Sequence, residues 1–214
     1  LRQLAVVLRI HSSEEIKSLA TTEEWQQVIA ESLYRLDVIP AGLALGQAAY
    51  ESGYGTSRFA AEGNALFGQW TFGGAGLAPS QQRKELGEHR IASFEWPFDS
   101  VRGYFINLSA HRAYEDFRRI RSELKAAGKP VNSLALADGL LRYSERGQEY
   151  VDQLKSIIRF NHFYVADNAM PRDEPIGFAF AVEGEDAAQE ARSIIEDQRK
   201  SGEFDENLVR MRLE

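Results

Sequence analysis

Leu43, Gln47 and Glu51 are spaced four apart, so a helix through them stacks the three on one face and sets Glu51 in its last turn. Gly53 and Gly55 follow at once, letting the backbone bend sharply and leaving space beside the carboxyl. Unsatisfied carbonyls at a helix end carry partial negative charge. They disfavour a carboxylate and raise its pKa, as partial burial does. A carboxyl still protonated near neutral pH can donate to the leaving oxygen of a glycosidic bond. The competing reading is a helix-end carboxylate paired with Arg58. The run Gly53-Tyr54-Gly55-Thr56-Ser57 is not a phosphate loop, because such loops follow a strand and open a helix.

Several helices must hold this group. Thr21 with Glu24 predicts a capping box, after which Trp25, Val28, Ile29, Leu33 and Leu36 mark one helical face. Pro40 suits the start of the helix that stops at Gly53. Asp99 or Ser100 is the expected cap of a helix carrying Val101, Tyr104, Phe105 and Leu108. The next helix uses Tyr114, Phe117, Ile120 and Leu124 and ends at Gly128 before Pro130. Leu134, Ala137, Leu140 and Leu141 mark another. Tyr150, Val151, Leu154, Ile157 and Ile158 form the clearest amphipathic pattern. Residues 71–95 are rich in glycine and polar residues and close on the alternating run His89 to Phe94, which reads as a loop with a small hairpin. Beyond Met170-Pro171, alternation from Ile176 to Val182 predicts a strand, and a helix follows from about Asp186 to Lys200.

Bulk properties exclude several classes of function. The chain has 214 residues, 43% of them hydrophobic, enough for a real core. A formal net charge of -7 argues against general nucleic-acid binding, which needs a basic face. The Arg/Lys-rich stretch from Arg112 to Lys125 alternates with Glu115, Asp116 and Glu123 and reads as a solvated helix face. Absence of cysteine rules out disulfides and thiolate metal sites. His11, His89, His111 and His162 are scattered without metal-ligand spacing, so neither a metal nor another cofactor is expected. No apolar run reaches the roughly 20 residues of a membrane span.

The segment Ala44-Leu45-Gly46-Gln47-Ala48-Ala49-Tyr50-Glu51-Ser52-Gly53-Tyr54-Gly55-Thr56-Ser57-Arg58-Phe59, then Gly63-Asn64-Ala65-Leu66-Phe67-Gly68, resembles the signature of bacterial glucosaminidase domains, glycoside hydrolase family 73. The continuation Gln69-Trp70 and the later block Tyr143-Ser144-Glu145-Arg146-Gly147-Gln148-Glu149-Tyr150 resemble its Bax-type branch. The likeness covers roughly residues 25 to 165. It implies a mainly α, lysozyme-like helical domain with a small β-hairpin lobe over 1–170, followed by a strand-helix appendage over 171–214. It also implies cleavage of the β-1,4 bond after N-acetylglucosamine in peptidoglycan, and hence a periplasmic or cell-envelope location, any signal or anchor lying outside this stretch.

By that resemblance Glu51 is the general acid, and Tyr143 lies close to the reacting sugar, placed to donate to its acetamido group or to a water. Tyr150 reads instead as core. The second carboxylate is expected on the hairpin lobe, Glu85 first, then Glu88, with Glu95 less well placed. Alternatively the 2-acetamido carbonyl serves as nucleophile and no second carboxylate is needed. Gln47, Tyr54, Asn64, Phe67, Trp70 and Phe72 are the expected substrate-binding residues, since amphipathic aromatics suit the C–H faces of sugars. Phe67 reads more readily as core. Two other functions stay open: a lytic transglycosylase or lysozyme-type muramidase, and a glycan-binding or scaffolding module. In the last, residues 176–200 would mediate self-association or dock a protein.

Overall fold

Three helices begin the chain: α1 (Arg2–Val7), α2 (Ser13–Ser18) and α3 (Thr22–Arg35). The predicted capping box starts α3, with Thr21 Oγ1 accepting from the Glu24 amide and the Glu24 carboxylate accepting from the Thr21 amide at 2.8 Å. Ser12 and Glu15 form a second such box at α2. Ala5, Ile16 and Val28 join the three helices in a small apolar cluster of their own.

The computed structural model describes residues 1–71, 76–78 and 90–170, together with position 189. Leu1–Ala169 forms one compact unit and Met170–Glu214 another. The appendage expected over 171–214 lies, apart from that one position, outside the described residues, as do Phe72, Glu85 and Glu88.

The central helices follow: α4 (Ala41–Ser52), α5 (Arg58–Gly63), α6 (Pro97–Ala110), α7 (Glu115–Ala126), the single turn α8 (Ser133–Leu136) and α9 (Gln148–Phe160). Short 3₁₀ turns at Arg112–Tyr114, Ala137–Leu140 and Phe163–Asn168 link or finish them. The main core gathers Leu43, Tyr104, Leu108, Phe117, Leu136, Leu140 and the α9 face of Tyr150, Val151, Leu154 and Ile158. Gly46 lets α4 and α9 cross closely, since a Cβ there would lie 2.5 Å from Ile158 Cγ1. Asp167 locks two helix starts together, accepting from the Gly42 amide at 2.9 Å and the Ser133 amide at 2.7 Å.

Between α5 and α6 lies a three-stranded antiparallel sheet of β1 (Trp70–Thr71), β2 (Gly76–Leu77) and β3 (Arg90–Ala92), with β3 in the middle. Trp70 and Leu77 both pair with Ile91. A sheet of three strands replaces the simple hairpin expected, because strands this short carry too little alternation to be read singly. The result is a mainly α, lysozyme-like fold with a small β lobe.

Two further sequence expectations need correction. The sixth helix starts at Pro97 with Trp96 as its cap, ahead of Asp99 and Ser100. Ser100 is buried within it, accepting from the Leu66 amide at 3.0 Å and donating to Gln69 at 3.1 Å. The second concerns the basic stretch. Arg118 and Arg121 are each 1% exposed, so α7 is not solvated all round. Arg121 donates to the carbonyls of Tyr34, Arg35, Asp37 and Val38, satisfying the C-terminal end of α3. Charge alternation alone cannot separate an exposed arginine from one that caps a neighbouring helix.

Candidate active site

Helix α4 ends at Gly53, which takes φ 58°, a left-handed conformation that glycine adopts without penalty. The Ala49 carbonyl then accepts from the Tyr54 amide at 2.8 Å, closing the helix just past Glu51. Glu51 is partly buried and lies on the wall of a cleft of about 1290 Å³. Gly68, also left-handed at φ 58°, faces it so closely that a Cβ would lie 3.5 Å from Glu51 Oε2. Arg58 does not pair with Glu51. It reaches Glu62 at 3.4 Å and the Ala78 carbonyl at 2.8 Å.

Behind Glu51 runs a chain of buried hydrogen bonds. The Tyr104 hydroxyl donates to Gln47 Oε1 at 2.7 Å, and Gln47 Nε2 donates to the Tyr150 hydroxyl at 2.9 Å. With its oxygen thus accepting, Tyr150 has its own proton free for the Glu51 carboxyl, with which it hydrogen-bonds. Burial pushes the Glu51 pKa up to about 7, and the bond from Tyr150 offsets part of that rise. Tyr104, Tyr114, Tyr143 and Tyr150 all feel the Glu51 charge, which adds to burial in raising their own pKa values. Glu51 is therefore a carboxyl poised near neutrality inside a cage of neutral phenols.

The second sequence block supplies the opposite wall. Tyr143 lies parallel to Tyr150, ring centroids 5.4 Å apart, and its hydroxyl donates to the Phe67 carbonyl at 3.1 Å. Trp70, 48% exposed, lies on the cleft at β1. Phe67 borders the cleft from within the core, where it stacks on Tyr104 at 4.0 Å. Among the described residues the remaining expected contacts sit elsewhere. Gln47 is 0% exposed and works behind Glu51, not on the cleft surface. Asn64 donates to the carbonyls of Phe94 and Glu95, holding the start of the lobe's exit. The Tyr54 hydroxyl accepts from Asn161, and neither Tyr54, Asn64 nor Glu95 lines the cleft. Glu145 is the other carboxylate on the cleft wall among the described residues.

Sequence reasoning missed the polar task of Tyr150 and Tyr104, whose spacing marked them only as core. It also passed over Arg9, His111 and Asn107, which line the cleft. A Gln at the turn before the acid, with two tyrosines on apolar faces, was the available signal for the hydrogen-bond chain. Arg9 gave none.

Comparison with known proteins places this arrangement. Residues 27–163 match the glucosaminidase family model, described as mannosyl-glycoprotein endo-β-N-acetylglucosaminidase. Over 134 residues the chain is 34% identical to the protein bax of Escherichia coli strain K12, covering 63% of this chain and 47% of that protein. The chain thus spans about half the length of that curated relative. No solved structure matches. With well over half its length matched and a carboxyl seated at the end of the signature helix, the chain belongs to the glucosaminidase family of glycosidases.

Proposed function

We propose that this chain is an endo-β-N-acetylglucosaminidase that hydrolyses the β-1,4 bond after N-acetylglucosamine in peptidoglycan, in the bacterial cell envelope. The observation that carries the proposal is Glu51, held near neutral pKa on a sugar-sized cleft and oriented from behind by Tyr150 and Gln47. Protonated, it donates to the leaving glycosidic oxygen as the C–O bond breaks. Glu85, or failing that Glu88, activates the attacking water or forms the glycosyl bond. In the substrate-assisted alternative the acetamido carbonyl oxygen closes on the anomeric carbon, and water then opens the ring so formed. Tyr143 supports either course by walling the site where the acetamido group would lie, its own proton being engaged by Phe67.

The test is product analysis on purified sacculi. Reducing-end N-acetylglucosamine is the expected product, and Glu51→Gln should cut its release by about 10²–10⁴-fold. Reducing-end muramic acid would instead identify a lysozyme-type enzyme, and an anhydro-muramic end a lytic transglycosylase. Loss of activity in Glu85→Gln or Glu88→Gln identifies the second carboxylate. Full activity in both favours the acetamido route.

A further inference from the structure

A second cavity, of about 610 Å³, adjoins the cleft and shares Arg9 and His111 with it. Among the described residues Arg35, Ala110, Arg112, Glu115 and Arg118 also line it, so that four guanidinium groups surround a single carboxylate. That carboxylate is already engaged, accepting from the Tyr34 hydroxyl at 2.8 Å and from Arg118 Nη2 at 2.7 Å. Arg35 is spent on Glu31 and on the carbonyls of Leu8 and Ala110. Arg9 and Arg112 form no ion pair among the described residues. Arg118 is 1% exposed, and its Nε, although buried, has no hydrogen-bond partner among the described residues. Among the described residues the pocket therefore holds more guanidinium groups than carboxylates to pair with them.

Two further observations point the same way. Arg9 takes φ 56° at the end of α1, in the left-handed region where a side chain is strained and glycine is usual. An arginine held there at the junction of two cavities suggests that its side chain, not its backbone, is what the position requires. Burial first, and then the charges of Arg9, Arg112 and Arg118, lower the pKa of His111. Its Nδ1 accepts from the Ala113 amide at 3.2 Å, which leaves the ring proton on Nε2 as a donor. The potential is positive and the available hydrogen bonds are donors.

We propose that this pocket is a carboxylate-binding subsite of the glycan cleft, taking the acidic group that a muramyl sugar carries on its lactyl ether or its peptide stem. Guanidinium forks match a planar carboxylate with paired N–H donors. The inference rests on the cleft being a peptidoglycan site. Arg9 precedes the residues 27–163 that match the family, so the N-terminal helices supply part of the subsite.

The test uses Glu51→Gln protein, which should bind glycan without cleaving it, and calorimetry with three tetrasaccharides. One is uncharged chitotetraose, one alternates N-acetylglucosamine with muramic acid bearing free lactyl carboxylates, and one carries peptide stems in addition. The acidic sugars should bind more tightly than chitotetraose. Preference already present with the free lactyl group assigns the pocket to that carboxylate, and preference confined to the third sugar assigns it to the stem. Adding Arg9→Gln and Arg112→Gln, both at exposed residues, should cut that preference about tenfold, and Arg112→Lys should restore part of it. An unchanged preference in the double variant overturns the subsite and leaves the proposed function standing. Failure to bind any of the three overturns both.

Discussion

Gln47 and Tyr150, 103 residues apart in sequence, meet at 2.9 Å with the amide nitrogen donating to the phenol oxygen. That one bond ties the helix of the acid to the helix of the second sequence block and fixes which way the Tyr150 proton points. Tyr150→Phe should remove the donor to Glu51 and leave Gln47 Nε2 buried without an acceptor. Stability should fall by about 1–3 kcal/mol, read by denaturant titration. The carboxylate loses its stabilising bond, so the Glu51 pKa should rise further and the high-pH limb of activity should move upward. A limb that moves down, or stays in place, would show that Tyr150 does not govern the acid.

Glu51 also sets a pH dependence of stability. Its folded pKa, about 7, stands above the ordinary 4.5. Between those values the folded protein holds a proton that the unfolded chain has released. Stability therefore declines as pH rises through that window, by about 3 kcal/mol at most, and the decline is complete above pH 7. Glu51→Gln has no such proton to lose. It should match the parent near pH 4 and exceed it at pH 8 in thermal melts, while activity drops by about 10²–10⁴-fold. A variant that is less stable than the parent at pH 8 would contradict the burial-driven shift.

The same acid gives the expected activity profile. In the proposed role of Glu51 the protonated form is the competent one, so kcat/KM should fall as pH rises through about 7. Rates measured on sacculi between pH 5 and pH 9 check this. Activity increasing steadily up to pH 9 would exclude Glu51 as the acid.

Glu51 and its helix were legible in the sequence because the four-residue spacing and the glycine stop are local signals. So were α9 and the α3 capping box, which depend on neighbours within a turn or two. What escaped depends on long-range partners. Gln47 looked like a cleft residue because it shares a face with Glu51, yet Tyr104 and Tyr150 enclose it from other helices. Arg118 and Arg121 looked solvated because their own helix is rich in charge. Their burial is set by carbonyls of the 3₁₀ linker, α6 and α3. The sheet was under-read because its strands have two or three residues each.

Arg121 offers a test of that last kind of contact. Its guanidinium satisfies four carbonyls at and beyond the end of α3 and is 1% exposed. Arg121→Leu would leave those acceptors facing an apolar side chain. The expected loss is about 3 kcal/mol or more, with protection of the α3 amides against hydrogen exchange falling first. A loss under about 1 kcal/mol would mean that water reaches the helix end and replaces the arginine.

Gly46 decides how near the acid helix lies to α9. Alanine favours a helix over glycine by about 1 kcal/mol, so propensity alone predicts that Gly46→Ala stabilises. Packing predicts the opposite, because the new Cβ would sit 2.5 Å from Ile158 Cγ1 and 3.2 Å from Leu154 Cδ1. Neither neighbour can swing away in a core where Leu154 and Ile158 are 0% exposed, so the helices must separate. A net loss of about 1–3 kcal/mol is expected. Separation also pulls Glu51 on α4 away from Tyr150 on α9, so activity should fall further than the unfolded fraction explains. Combining Gly46→Ala with Ile158→Ala makes room for the methyl, and the pair should cost less than the two single changes added together. Strict additivity would place the strain somewhere other than the crossing of these two helices.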